Sequence, residues 1–151
     1  MTGFYDIINR LRIYFDADPI VNTVTQGDIF QVDLSKQTIF PLTHIMVNSS
    51  TLSDNTMSFN ISVIAMDIVD VTKSAALNVF EDADNELDVL NTQHTVLNRF
   101  YQQMVHGNLW DEKYVIEADP TLEPFTERFE NLLAGWTMTF DVVVPNEMTI
   151  C

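Results

Sequence analysis

At 151 residues, 46% of them apolar and 19% charged, the chain is long enough to bury one core and too apolar to stay disordered. Twenty-two acids against seven bases leave a net charge of −15, which excludes a protein that grips a nucleic-acid backbone or an anionic membrane surface, since both need clustered Lys and Arg. The single cysteine, Cys151, excludes an internal disulfide framework and any site built from several thiolates, as expected of a reduced intracellular protein.

Along "GFYDIINRLRIYFDADP", Phe4, Ile7, Ile8, Leu11 and Phe15 fall at helical spacing with charges on the other side, so a first helix is expected to end before Pro19. Asp6, Arg10, Arg12 and Asp16 break up any apolar run there, so neither a signal peptide nor a membrane span is expected. "GDIFQVDL" reads as a short strand with Phe30, Val32 and Leu34 on one face. A second strand follows in "IFPLTHIMV", where Pro41 marks a sheet edge or a strand start.

After the polar loop "NSSTLSDN" comes the clearest strand, "TMSFNISVIAMDI". Met57, Phe59, Ile61, Val63 and Ala65 alternate with Thr56, Ser58, Asn60 and Ser62, which gives one buried and one wet face. Antiparallel sheets tolerate a wet face, so a hairpin with the preceding strand is expected.

A long helix from about Asn85 to His106 carries an apolar stripe of Leu90, Val96, Leu97, Phe100, Tyr101 and Met104, with Gly107 as its stop. "EKYVIEAD" reads as a strand, "PTLEPFTERFENLLAG" as a partly helical segment cut by Pro124, and "WTMTFDVVVPN" as a last strand. In that strand Trp136, Met138, Phe140, Val142 and Val144 point one way. Strands that cluster in runs predict one α+β domain over residues 1–151. Its sheet, antiparallel or mixed, has about four to five strands, with two main helices packed on one face.

Chemistry is concentrated in one stretch. Glu81, Asp82, Asp84, Glu86 and Asp88 place five carboxylates within eight residues. Counted from Asp82, acids occupy positions 1, 3, 5 and 7 of a calcium loop, but Leu87 stands where the loop needs Gly and Gln93 where it needs Glu. The simpler reading is a solvated helix start, capped by Asp84 or Asn85, whose acids favour the helix dipole.

Catalytic patterns are missing from the sequence. His44, His94 and His106 stand far apart, and there is no HExxH, GxSxG, phosphate loop or CxxC. No catalytic, cofactor-binding or metal residue is therefore assigned. His44 reads as a hydrogen-bonded structural residue, Met57, Met66, Met104 and Met138 as core filling, and Trp110 as a core plug or interface anchor. Asp67 and Asp70 end a strand without an evident partner.

The order of elements, from "FYDIINRLRIYFDADP" through "VNTVTQGDIFQVDLSKQTIFPLTHIMV" and the long helix to "GWTMTFDVVVPNEMTIC", resembles small virion proteins of tailed bacteriophages, especially those of Bacteroidetes-like hosts. The layout is similar to the tail-terminator and neck family. That resemblance implies a non-enzymatic ring, typically of six copies, made in the host cytoplasm and built into the virion. Its partners would be the tail tube and the neck or portal-adaptor proteins.

DNA would pass through such a ring without being bound, and no membrane would be involved. The acids at Glu81, Asp82, Asp84, Glu86 and Asp88, or those at Glu112, Glu117 and Asp119, would line the lumen and repel phosphate. Pro41, Trp110 and the loop "NSSTLSDN" are the candidate contacts between subunits. The alternatives are another head–tail connector, adaptor or baseplate component, an acidic intracellular protein-binding module, or a hydrolase using groups such as His44 and Asp67.

Overall fold

The computed structural model describes residues 4–27, 40–68, 86–107, 115–128 and 133–145, the side chains of residues 86 and 126–128 excepted. Helix α1 spans Phe4–Asp16 and buries Ile7, Ile8, Leu11 and Phe15 of the expected stripe, while Phe4, at its start, is exposed. Beyond it, Asp18 accepts the Ile20 N–H at 2.9 Å, which turns the chain ahead of the sheet.

Six strands form one mixed sheet. Strand β1 (Thr23–Gln26) runs parallel to the start of β2 (Leu42–Leu52), pairing Thr23 with Leu42 and Gln26 with Ile45. Strand β2 forms an antiparallel hairpin with β3 (Thr56–Ile68), in register from Leu42↔Met66 to Leu52↔Met57, with a bulge between Val47 and Ser49. Strand β3 then pairs along its whole length with β6 (Leu133–Pro145), from Thr56↔Pro145 to Ile68↔Leu133. The outer side of β6 takes two short strands end to end: β4 (Val115–Ile116) near its C-terminus and β5 (Thr121–Arg128) near its start.

Period two divides the sheet into faces. On one, Met57, Phe59, Ile61, Val63 and Ala65 of β3 and Met138, Phe140, Val142 and Val144 of β6 are buried together with α1 and with helix α2 (Glu86–His106). From α2 come Val96, Leu97, Phe100 and Met104. Phe100 is the hub, with ring centroids 5.0 Å from Phe15, 5.5 Å from Tyr14 and 5.4 Å from Phe140. Each side chain of this size contributes about 1.5–3 kcal/mol on full burial, so both helices are held by the same apolar face.

The opposite face is polar in its middle. Asn48 Nδ2 donates to Asn60 Oδ1 and to Ser62 Oγ, each at 2.8 Å, and Asn60 Nδ2 donates to Asp141 Oδ1 at 2.9 Å. Ser62 and Thr139 hydroxyls lie 3.2 Å apart. The ladder crosses three strands and satisfies groups that would otherwise compete for the backbone. At the far end of this face, Phe40, Leu42, Met66, Phe125 and Leu133 form a second, smaller core. Phe125 stands across from Gly135, where a Cβ would run into the Ala65 carbonyl oxygen, so the glycine is what allows β3 and β6 to approach so closely.

The sheet departs from expectation in four places. The segment expected as the polar loop "NSSTLSDN" belongs to β2 as far as Leu52, and only its last residues form the hairpin turn. The segment expected to be partly helical supplies β5: Pro124 breaks a helix, but it is tolerated on an edge strand, one side of which needs no donor. Strand β1 was not anticipated, because four residues with one apolar side chain show no period. The described residues form six strands where about four to five were expected. The strand expected in "GDIFQVDL" lies outside the described residues apart from Gly27. The expected "EKYVIEAD" strand is paired only at Val115 and Ile116, its earlier residues also lying outside the description.

Candidate interaction surfaces

Of the five clustered acids, Glu81, Asp82 and Asp84 lie outside the described residues, as do the caps proposed at Asp84 and Asn85. Glu86 is the first residue of α2, and Asp88, in its first turn, is exposed. Because Glu86 onward is helical, a calcium loop running from Asp82 to Gln93 cannot form. Glu112, Trp110 and Asp70 are likewise outside the description. Pro41 is half-buried just before β2, and its carbonyl accepts the N–H groups of Asn22 at 2.9 Å and Thr23 at 3.2 Å, so it joins β1 to β2.

The second expected acidic group fares better. Glu117 and Asp119 are exposed in the bend between β4 and β5, and Glu123 on β5 extends the line. The Glu117 N–H donates to the Asp141 carbonyl at 3.1 Å, which sets those two residues opposite one another on the polar face. Like charges across strands oppose a sheet. Here the Asp141 carboxylate is drawn away, toward β3, by the amide of Asn60. None of Glu117, Asp119 and Glu123 forms an ion pair with a described residue, so the split edge of the sheet presents bare carboxylates to solvent. Glu123 escaped the sequence reading because it was placed in the helical segment.

The titratable groups that are buried serve the fold. His44 is fully buried: its Nε2–H donates to the Gly27 carbonyl and its Nδ1 faces the Thr25 hydroxyl, each at 2.7 Å. A carbonyl only accepts, so Nε2 carries the proton. The ring thereby fastens β1 and the turn after it to β2, the structural role expected of it. Asp18, its side chain 5% exposed, pairs at 3.0 Å with Arg99, whose side chain is 43% exposed, tying the end of α1 to α2.

Tyr14 beside this pair is held above the usual phenol range, first by burial and then by the Asp18 charge, with Arg99 opposing. Burial also raises Asp67 above the usual carboxylate range, against the lowering effect of the Ile68 N–H, which donates to Oδ1 at 2.7 Å. His94 meets Trp136 edge-on at 5.1 Å, and the indole N–H donates to the Leu90 carbonyl at 2.8 Å. His44 and Asp67 lie at the same end of the β2–β3 hairpin but on opposite faces of the sheet, so the pairing imagined for a hydrolase is not assembled.

Among the described residues, no group of three or more His, Cys, Asp or Glu side chains lies close enough together to hold a metal ion, and no helix is long and apolar enough to cross a membrane. No protein-family model matches the sequence, and no curated protein matches it either.

Proposed function

We propose that the chain is a structural subunit of a tailed-bacteriophage particle. It acts at the neck or tail end, where copies of it close into a ring, six being the expected number, that joins tail tube to head. It works by shape and by excluding phosphate, and carries out no turnover. Pro41 and Trp110 remain the expected contacts between copies.

The observation that carries this reading is the split edge β4/β5. Strands β4 and β5, both paired to β6, and the bend between them display Glu117, Asp119 and Glu123 as exposed carboxylates with no described base beside them. Such a wall repels a passing phosphate backbone and opposes its adhesion to the channel. The fold adds support, because among the described residues both helices pack on one face of the sheet and leave the polar middle of the other face for neighbours.

Electron microscopy of an intact particle tests the proposal. The expected result is a ring of this chain at the neck or tail end, with the β4/β5 edge toward the channel. Finding the chain only outside particles overturns the proposal. A ring lined by some other surface overturns the role given to these acids.

A further inference from the structure

Among the described residues, strand β2 is paired along its outer side only at its start. Strand β1 covers Leu42–Ile45 and ends at Gln26; Gly27, at a φ of 98°, donates its N–H to the Ile45 carbonyl at 3.1 Å. Asn48 to Leu52 are all exposed, and Leu52 is 71% so. At the hairpin turn the Ser53 N–H donates to the Thr56 carbonyl at 2.9 Å, which makes that pair a bonded one. Bonded and non-bonded pairs alternate, so the N–H and C=O groups of Ser50 and Leu52 point away from β3, into solvent. The bulge at Asn48 does not loosen this edge, because its amide is fixed to Asn60 and Ser62.

The two edges of the sheet are guarded very differently. The β4/β5 edge carries Glu117, Asp119, Glu123 and Pro124, the features that discourage strand addition. From Val47 to Leu52, "VNSSTL", there is neither a charge nor a proline. Beside this open edge, where β1 stops, lies a groove of about 470 Å³ lined by Phe4, Ile8, Ile45 and Val47 together with Gln26 and Gly27. An unguarded edge next to an apolar groove is the arrangement that binds an extended peptide: main-chain bonds give affinity and the groove selects a side chain.

Charge decides the occupant. The chain carries −15, no Lys or Arg occurs on β2, β3 or the turn between them, and Asp54 stands at the tip. A second copy would bring another −15 and a far edge blocked by its own acids and proline. We propose that the outer side of β2 from Val47 to Leu52 docks an extended, positively charged segment of a different protein, which adds as a strand in line with β1 and seats one apolar side chain in the groove. This holds whether or not the chain builds a phage particle.

The test uses the full chain and two synthetic octapeptides of alternating Thr and Val, one flanked by lysines and the other by glutamates. Amide hydrogen exchange and fluorescence anisotropy are the readouts. The lysine peptide is expected to slow exchange at Ser50 and Leu52 and to bind at least about tenfold more tightly than the glutamate peptide. Ser50→Pro removes an outward donor without touching the ladder to β3. It should fold with an unchanged circular dichroism spectrum and bind the lysine peptide at least about tenfold more weakly. Absence of protection at Ser50 and Leu52 up to about 1 mM peptide overturns the proposal, as does equal affinity for the two peptides. Protection of the same amides by the chain's own concentration, without peptide, assigns the edge to a second copy and also overturns it.

Discussion

Removing the Arg99 guanidinium leaves the Asp18 carboxylate, 5% exposed, with the Ile20 N–H as its remaining partner among the contacts described above. Two unit charges about 4 Å apart at an effective dielectric of about 20 attract by about 4 kcal/mol. Arg99 is 43% exposed, so water screens much of this. Truncating one partner of a fully buried pair costs about 3–5 kcal/mol, and an exposed pair is worth under about 1 kcal/mol.

The half-exposed geometry therefore places Arg99→Met at about 2 kcal/mol. Asp18→Asn keeps an oxygen for the Ile20 N–H and should cost about 1 kcal/mol, with a coupling of about 1 kcal/mol between the two sites in a double-mutant cycle. Urea unfolding followed by circular dichroism reads this directly. With a slope of about 2 kcal/mol per molar, the Arg99→Met midpoint falls by about 1 M at unchanged slope. Tyr14 supplies a second readout: its ionisation moves to higher pH in Arg99→Met and to lower pH in Asp18→Asn. A coupling below about 0.3 kcal/mol, or a Tyr14 titration that ignores both substitutions, refutes the assignment of this pair as the tie between α1 and α2.

Gln93 is 1% exposed on α2, and neither its amide nitrogen nor its oxygen has a hydrogen-bond partner among the described residues. Gln93→Met keeps the volume and removes an unsatisfied amide, so thermal unfolding should show stabilisation of about 1–2 kcal/mol; a lower melting temperature would show that the amide is satisfied in solution. Asp67 has its folded pKa raised by burial, so the folded state binds more protons than the unfolded state and stability falls as pH rises through that raised value. Asp67→Asn should therefore stabilise the protein at pH 7, and the gain should vanish as pH falls toward about 4, the unfolded carboxylate value. Urea midpoints of both proteins across this range check the sign.

The sequence was most readable where one period ran uninterrupted. Strand β3 lies on Thr56–Ile68, the residues its alternation predicts, and α2, Glu86–His106, ends at the expected His106. Both segments place a complete face against the core, so burial and pattern agree. Strand β5 was hidden because a register shift between Phe125 and Arg128 breaks its alternation, and because Glu127 and Arg128 have helical propensity that their place in β5 overrides. Gln93 shows the converse: a polar side chain at a buried helical position leaves no trace in a hydrophobic pattern. Of the acidic surface, Glu117 and Asp119 were legible as exposed charges, but their alignment with Glu123 depends on how β4 and β5 share one side of β6, which only tertiary pairing sets.

That shared strand also governs when the protein can exist. Thr56 pairs with Pro145 and Ile68 with Leu133, so the central ladder joins residues made far apart in time. At a synthesis rate of about 5–20 residues per second, β3 waits on the order of 4–15 s for β6 to be translated. During that interval Phe59, Ile61 and Val63 have no β6 beside them, and a chain stopped on the ribosome before Leu133 has no route to its native sheet.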